Sequence, residues 1–192
     1  MKNTFLPILL SALLISNSNL LAQEHEVAIK GGININDLGG KSIPLYSTLG
    51  FHGGFYYERI ISSYFSIQPE LTISLQGAAF DRSNDTKLNY TYLNIPLLGK
   101  FYLVDDLAFE IGPQLGVLLS AKEVSDFGNI DISDQVRNTD FSVIFGLGYK
   151  YRGRTSLTFR YNLGISNTNL QDVVYEARLT NRVFQISLAY IL

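Results

Sequence analysis

Along "SYFSIQPELTISLQ" (63–76), apolar and polar residues take turns. Phe65, Ile67, Pro69, Leu71, Ile73 and Leu75 form one set; Tyr64, Ser66, Gln68, Glu70, Thr72, Ser74 and Gln76 form the other. A period of two belongs to a β-strand with one apolar and one polar face. The alternation recurs over 26–36, 49–60, 90–103, 107–120, 140–151, 155–166 and 181–192, which with 64–76 makes about eight strands. Most reach ~10 residues, beyond the usual five or six and long enough for a tilted strand to cross a bilayer.

The links between these segments sort by length. "ISS" (61–63), "VDD" (104–106) and "RGR" (152–154) are short, whereas 37–48, 77–89, 121–139 and 167–180 are long and polar. Outer-membrane barrels have short periplasmic turns and long outer loops. With the chain entering from the periplasm, every short link falls on that side and every long one outside.

The apolar faces are bulky and continuous: Leu49, Phe51, Phe55 and Tyr57 in one strand, Leu107, Phe109, Ile111, Leu115, Val117 and Leu119 in another. The opposite faces carry Ser, Asn, Gln, Gly and charges, Glu110, Gln114 and Ser120 among them. An eight-stranded barrel has an interior just wide enough for side chains. The bulky set would overfill it and the polar set fits, so the apolar face is expected to look out, toward lipid. Outward Tyr57, Phe65, Phe101, Phe109, Tyr151, Phe159 and Tyr190 then gather near the periplasmic ends, with Phe51, Phe141 and Phe184 near the other. Aromatic girdles at both interfaces are what a membrane selects.

Lys30, Glu58, Glu70, Lys100, Glu110, Lys150 and Arg160 are then inward and expected to form a luminal charge network, since buried charge needs a partner. Hairpin register predicts Lys100 opposite Glu110, Glu70 opposite Gly54 and Arg160 opposite Gly146. His52 has no Ser–His–acid pattern around it and reads as a hydrogen-bonded filler. Pro69, Pro96 and Pro113 fall inside expected strands, where bulges or luminal water would have to accommodate them.

Bulk properties narrow the class. The 192 residues suit one domain, there is no Cys for disulfides or thiolate metal sites, and a net charge of −2 offers nothing to nucleic acid. Residues 1–22 have the layout of a cleavable secretory signal peptide, a lysine followed by an apolar core from Phe5 to Ile15 and a cut after Ala22. The barrel domain is then 23–192. The acidic loop with Asp126, Asp131, Asp134 and Asp140 matches no calcium-loop spacing and reads as a solvated surface loop. No phosphate loop, catalytic cluster, metal site or cofactor motif is present in the sequence.

"YLNIPLLGKFYL" (92–103) resembles a strand of the PorT-like outer-membrane β-barrel family of Gram-negative bacteria. "LAFEIGPQLGVLLSAK" (107–122), "FGLGYKYRG" (145–153), "FRYNLGISN" (159–167) and the ending "NRVFQISLAYIL" resemble its later strands. The resemblance implies an outer-membrane barrel without catalytic residues, with a link to protein secretion as for the founding member.

The reading is an all-β, eight-stranded antiparallel up-and-down transmembrane β-barrel, monomeric and non-enzymatic, in the bacterial outer membrane. Its expected partners are outer-membrane lipid, the barrel-assembly machinery, and envelope or secretion proteins. An outer-membrane enzyme acting on lipid or peptide, and a soluble periplasmic ligand-binding barrel, are the alternatives.

Overall fold

The computed structural model describes residues 25–39, 46–79, 87–126, 128–166 and 180–192. The expected signal peptide, 1–22, lies outside them, as do 40–45, 80–86 and 167–179 of the linkers 37–48, 77–89 and 167–180. The strands in chain order are β1 (His25–Gly39), β2 (Tyr46–Ser62), β3 (Phe65–Ala79), β4 (Lys87–Val104), β5 (Leu107–Ser125), β6 (Gly128–Asp131), β7 (Thr139–Tyr151), β8 (Thr155–Gly164) and β9 (Thr180–Ile191). All pairs are antiparallel, in the order β4-β3-β2-β1-β9-β8-β7-β5, and β4 returns to β5. This is a closed eight-stranded up-and-down barrel with no free edge among its wall strands.

Each wall strand buries alternate residues, and the buried set is the polar one. Ser66, Gln68, Glu70, Thr72, Ser74 and Gln76 of β3 point into the barrel and are buried. Outside, Leu49, Phe51, Ile73, Leu97, Phe141, Leu147, Phe159 and Leu188 remain exposed, Leu49 by 77%. Large aliphatic and aromatic side chains in continuous bands around the barrel cannot face water at this density. The inverted arrangement expected of a soluble ligand-binding barrel is absent from these strands.

Four expectations need correction. Glu70 pairs with Tyr56, and Gly54 with Thr72, because β2 runs on to Ser62 and a register shift between Ile60 and Ser62 absorbs the turn. Tyr64 belongs to that turn and is 68% exposed, not part of the inward face. The prolines make no bulges. The β3–β4 pairing skips Glu70 and Leu71, and the β4–β5 pairing skips Leu97 and Leu98, yet the register on either side is unchanged. Missing proline N–H groups cost ladder bonds here, without a change in strand phase. The shifts lie instead between Thr91 and Tyr92 and between Tyr102 and Val104.

The fourth correction concerns the acidic loop read as solvated: Asp140 lies on β7 and is only 6% exposed, and the linker 121–139 that precedes it is structured. It contains β6, which pairs Lys122 with Asp131 and Ser125 with Gly128, and a short 3-10 helix, Ser133–Gln135. The shift at Thr91/Tyr92 leaves Leu119 unpaired, so Ser120 pairs with Thr91 on the outer side and does not continue the inward set. The bulge thereby turns Ala121 inward, where it is buried.

Candidate functional site

The lumen is filled by side chains that the strand alternation points inward. Arg160 of β8 donates Nη2 to Glu70 Oε1 at 2.9 Å and Nη1 to Glu70 Oε2 at 3.0 Å, a two-pronged pair. Its Nε donates to Glu110 Oε2 at 2.6 Å. Lys30 Nζ reaches Glu70 Oε2 at 3.0 Å. Lys100 lies 2.7 Å from Glu58 Oε2 and 3.9 Å from Glu110 Oε1. The chain Lys30–Glu70–Arg160–Glu110–Lys100–Glu58 is thus continuous, balanced in charge, and buried throughout.

Smaller polar groups complete it. Gln68 donates to Glu70, Lys100 donates to Gln68 Oε1 at 3.1 Å, and Ser66 and Tyr102 donate to Glu58. Space for Arg160 comes from Gly146, its paired neighbour, where a Cβ would lie 2.8 Å from Arg160 Cγ. Lys100 does pair with Glu110 in the ladder, but its shorter contact is to Glu58 on β2, two strands away. Lys150, also named from the sequence, stands apart from the chain. It holds Glu26 at 2.6 Å and is only partly buried. Glu26 has the same parity along β1 as Lys30, a signal sufficient to have placed it inside.

Above the charges, His52 Nε2 lies 2.7 Å from Ser187 Oγ and Nδ1 lies 2.7 Å from Asn34 Oδ1. A Ser–His–Asn line therefore exists, which the sequence pattern does not disclose because its members come from three strands, β9, β2 and β1. Ser187 is 1% exposed, and Asn34 Oδ1 also accepts from Gln185 Nε2 at 3.0 Å. A nucleophile needs a position beside it for the reacting atom. Ser187 instead sits in the packed interior, so the line is a structural crosslink between β9, β2 and β1.

The sequence-named aromatics lie outside the barrel. Tyr57, Phe101, Tyr151, Phe159 and Tyr190 are exposed, while Phe65 and Phe109 are half-buried against neighbours, with the Phe65 and Phe101 rings 5.0 Å apart. Phe65, Phe101 and Phe109 form one row across three paired strands at the short-turn end.

At the opposite end, β4 and β5 rise beyond the apolar band as a flap. Lys87, Asn89, Thr91, Ser120 and Lys122 face its outer side. Its inner side is a small apolar core of Ala78, Leu88, Tyr90, Tyr92 and Ala121, onto which Ile132 and Val136 fold back. Ser133 fastens the fold-back: its Oγ accepts from Ala121 N–H at 2.9 Å and its own N–H donates to Asp131 Oδ1 at 2.9 Å. That bond from Ser133 holds the Asp131 carboxyl below its ordinary pKa.

A family model described as outer membrane protein beta-barrel domain matches residues 21–169. Among solved structures, Neisserial surface protein A aligns over 88% of this chain and 98% of its own, at 11% identity and a TM-score of 0.55. Ail, the attachment invasion locus protein of Yersinia pestis, aligns over 88% and 99% at 16% identity and a TM-score of 0.53. The outer membrane protein OprG from Pseudomonas aeruginosa aligns over 88% and 97% at 9% identity and a TM-score of 0.52. At such identities the likeness is one of fold. No curated protein matches the chain in sequence.

Proposed function

The chain belongs to the outer membrane protein beta-barrel domain family, and from that premise we propose a non-enzymatic barrel of the outer membrane whose flap is an interaction platform. The carrying observation is the contrast between the barrel's two ends. The short-turn end carries no projection among the described residues, whereas β4, β5 and β6 build a projection with its own apolar core and a polar outer face. A loop needed only to connect strands has no reason to bury Ile132 and Val136 in that way.

The lumen supports the same reading. Ion pairs crossing its full width leave no wide aqueous path, and the one histidine within it is committed to Asn34 and Ser187. The surroundings are lipid on the outward apolar bands, and the platform's partners are envelope proteins, including the secretion components that the PorT-like resemblance implies. The barrel works as a monomer, inserted by the barrel-assembly machinery after export on its signal peptide.

A photo-crosslinker placed at Lys122 on β5 or at Asn129 on β6 tests this in cells, alongside conductance of the purified barrel in planar bilayers. The expected result is a discrete envelope-protein adduct and no steady current. A steady current, or a barrel that yields no adduct from Lys122 or Asn129, overturns the reading.

A further inference from the structure

We propose that the outer half of the lumen, beneath the flap, is a binding chamber for a single hard cation, with Asp140 as its charged ligand. Gln76, Gln114, Asp140, Ser142, Asn162, Asn181 and Val183 line a small cleft there. All but one of these are polar, and they come from β3, β5, β7, β8 and β9, so the cleft spans the barrel.

Charge balance is the first argument. Within the lumen below, Lys30, Lys100 and Arg160 are matched by Glu58, Glu70 and Glu110, and Lys150 by Glu26. Among the described residues no ion pair reaches Asp140, although it is 6% exposed. A buried carboxylate without a cationic partner is costly, and a bound cation removes the cost.

Unmet hydrogen-bonding capacity is the second and independent argument. Asp140 Oδ1 is buried with no partner, and so are both polar atoms of Asn162, a residue 3% exposed. Buried polar atoms are nearly always satisfied, and a group of exceptions lining one cleft marks a place for something else. Next to Asp140, Gly116 leaves out a side chain whose Cβ would meet Asn94 Oδ1 at 3.0 Å and Asp140 Cβ at 3.5 Å.

The donor chemistry selects the ligand class. Gln114 donates its Nε2 to Ser142 Oγ at 3.1 Å, and the Asn181 side chain donates to Gln76 and hydrogen-bonds Asp140, so the amide N–H groups of both are engaged within the lining. Carboxylate, amide and hydroxyl oxygens suit sodium, potassium or calcium, whereas transition metals select nitrogen and sulfur. Among the described residues no cluster of three His, Cys, Asp or Glu competes for such metals. With one carboxylate in the set, binding is weak, at the millimolar end of oxygen-ligand sites.

The test is thermal unfolding of the full refolded barrel at constant ionic strength in sodium, potassium, calcium or choline chloride. The expected result is a midpoint several degrees higher in at least one inorganic salt than in choline, saturating with concentration. Asp140→Asn removes that difference, Asn162→Leu diminishes it, and Asp126→Asn on the flap leaves it intact. Equal midpoints in all four salts overturn the proposal, as does an undiminished difference in Asp140→Asn. Should Asp140→Asn fail to fold, the wild-type salt series and Asn162→Leu decide it.

Discussion

Arg160 on β8 and Glu70 on β3 stand on diametrically opposite walls, four strands apart either way around, and meet in a two-pronged ion pair of 2.9 and 3.0 Å. The barrel is therefore braced across its width as well as around its circumference. Removing one partner of such a pair strands the other in a medium that cannot solvate it. Glu70→Ala leaves Lys30 without a carboxylate and halves the partners of Arg160, and should cost about 3–5 kcal/mol. Lys150→Ala acts on a pair 17% and 20% exposed and should cost only about 1 kcal/mol, since water takes the partner's place. Urea unfolding from lipid vesicles measures both; equal losses would mean that burial does not govern these pairs.

A second prediction concerns the outward face. Leu97, 51% exposed on β4, lies midway along a wall strand. In lipid, Leu97→Arg should destabilise the barrel by about 2–4 kcal/mol, the usual cost of a cation at mid-membrane depth. Lys122→Ala on the flap should change stability by less than about 0.5 kcal/mol, as an ordinary surface change does. The same unfolding assay reads the two, and a tolerated Leu97→Arg would place that face in water.

Strand alternation makes the wall legible in the amino-acid sequence alone. It distinguishes the Phe65–Ile67 side from the Ser66–Gln68 side, and nearest-neighbour hairpins put Lys100 beside Glu110 and Arg160 beside Gly146. Contacts between strands that are not neighbours are beyond it. Parity says that Glu70 and Arg160 look inward, but only closure of the sheet brings β3 and β8 face to face. Bulges are equally hidden, because one extra residue inverts the pattern beyond it: Ser120 continues the inward series by alternation and yet faces out after Leu119. The flap is obscured for a related reason. Ile132 and Val136 are isolated apolar residues in a polar stretch, with no period to reveal that they fold onto Tyr90 and Tyr92.

The turn after β7 gives a third prediction. Arg152 and Gly153 have φ of 52° and 70°, the left-handed region that suits hairpin turns between right-twisted strands. A Cβ on Gly153 would meet nothing within 4 Å, so Gly153→Ala isolates the backbone term and should cost about 1 kcal/mol. Arg152→Asn relieves the same strain at its neighbour and should raise stability by a few tenths of a kcal/mol. Thermal midpoints moving in opposite directions are the expected signature.

The flap supplies the last prediction, because its order rests on few contacts. Ile132 is 5% exposed and Val136 3% exposed, and together they cover Tyr90, Tyr92 and Ala121. Ile132→Ala deletes packing atoms from that small core, a loss of about 2 kcal/mol or more where the site cannot collapse. The barrel wall below is held by its own ladders and ion pairs, so this loss should stay local. Protease cleavage and amide exchange between 126 and 138 should accelerate at least tenfold in Ile132→Ala, while unboiled Ile132→Ala should still run apart from its boiled form on a gel, as an intact closed barrel is expected to. Adducts from a crosslinker at Lys122 should fall with the loss of order, since a platform that no longer holds one shape binds at the expense of ordering it. If the segment loosens and the adducts persist undiminished, the partner recognises the rim of the barrel and not the flap.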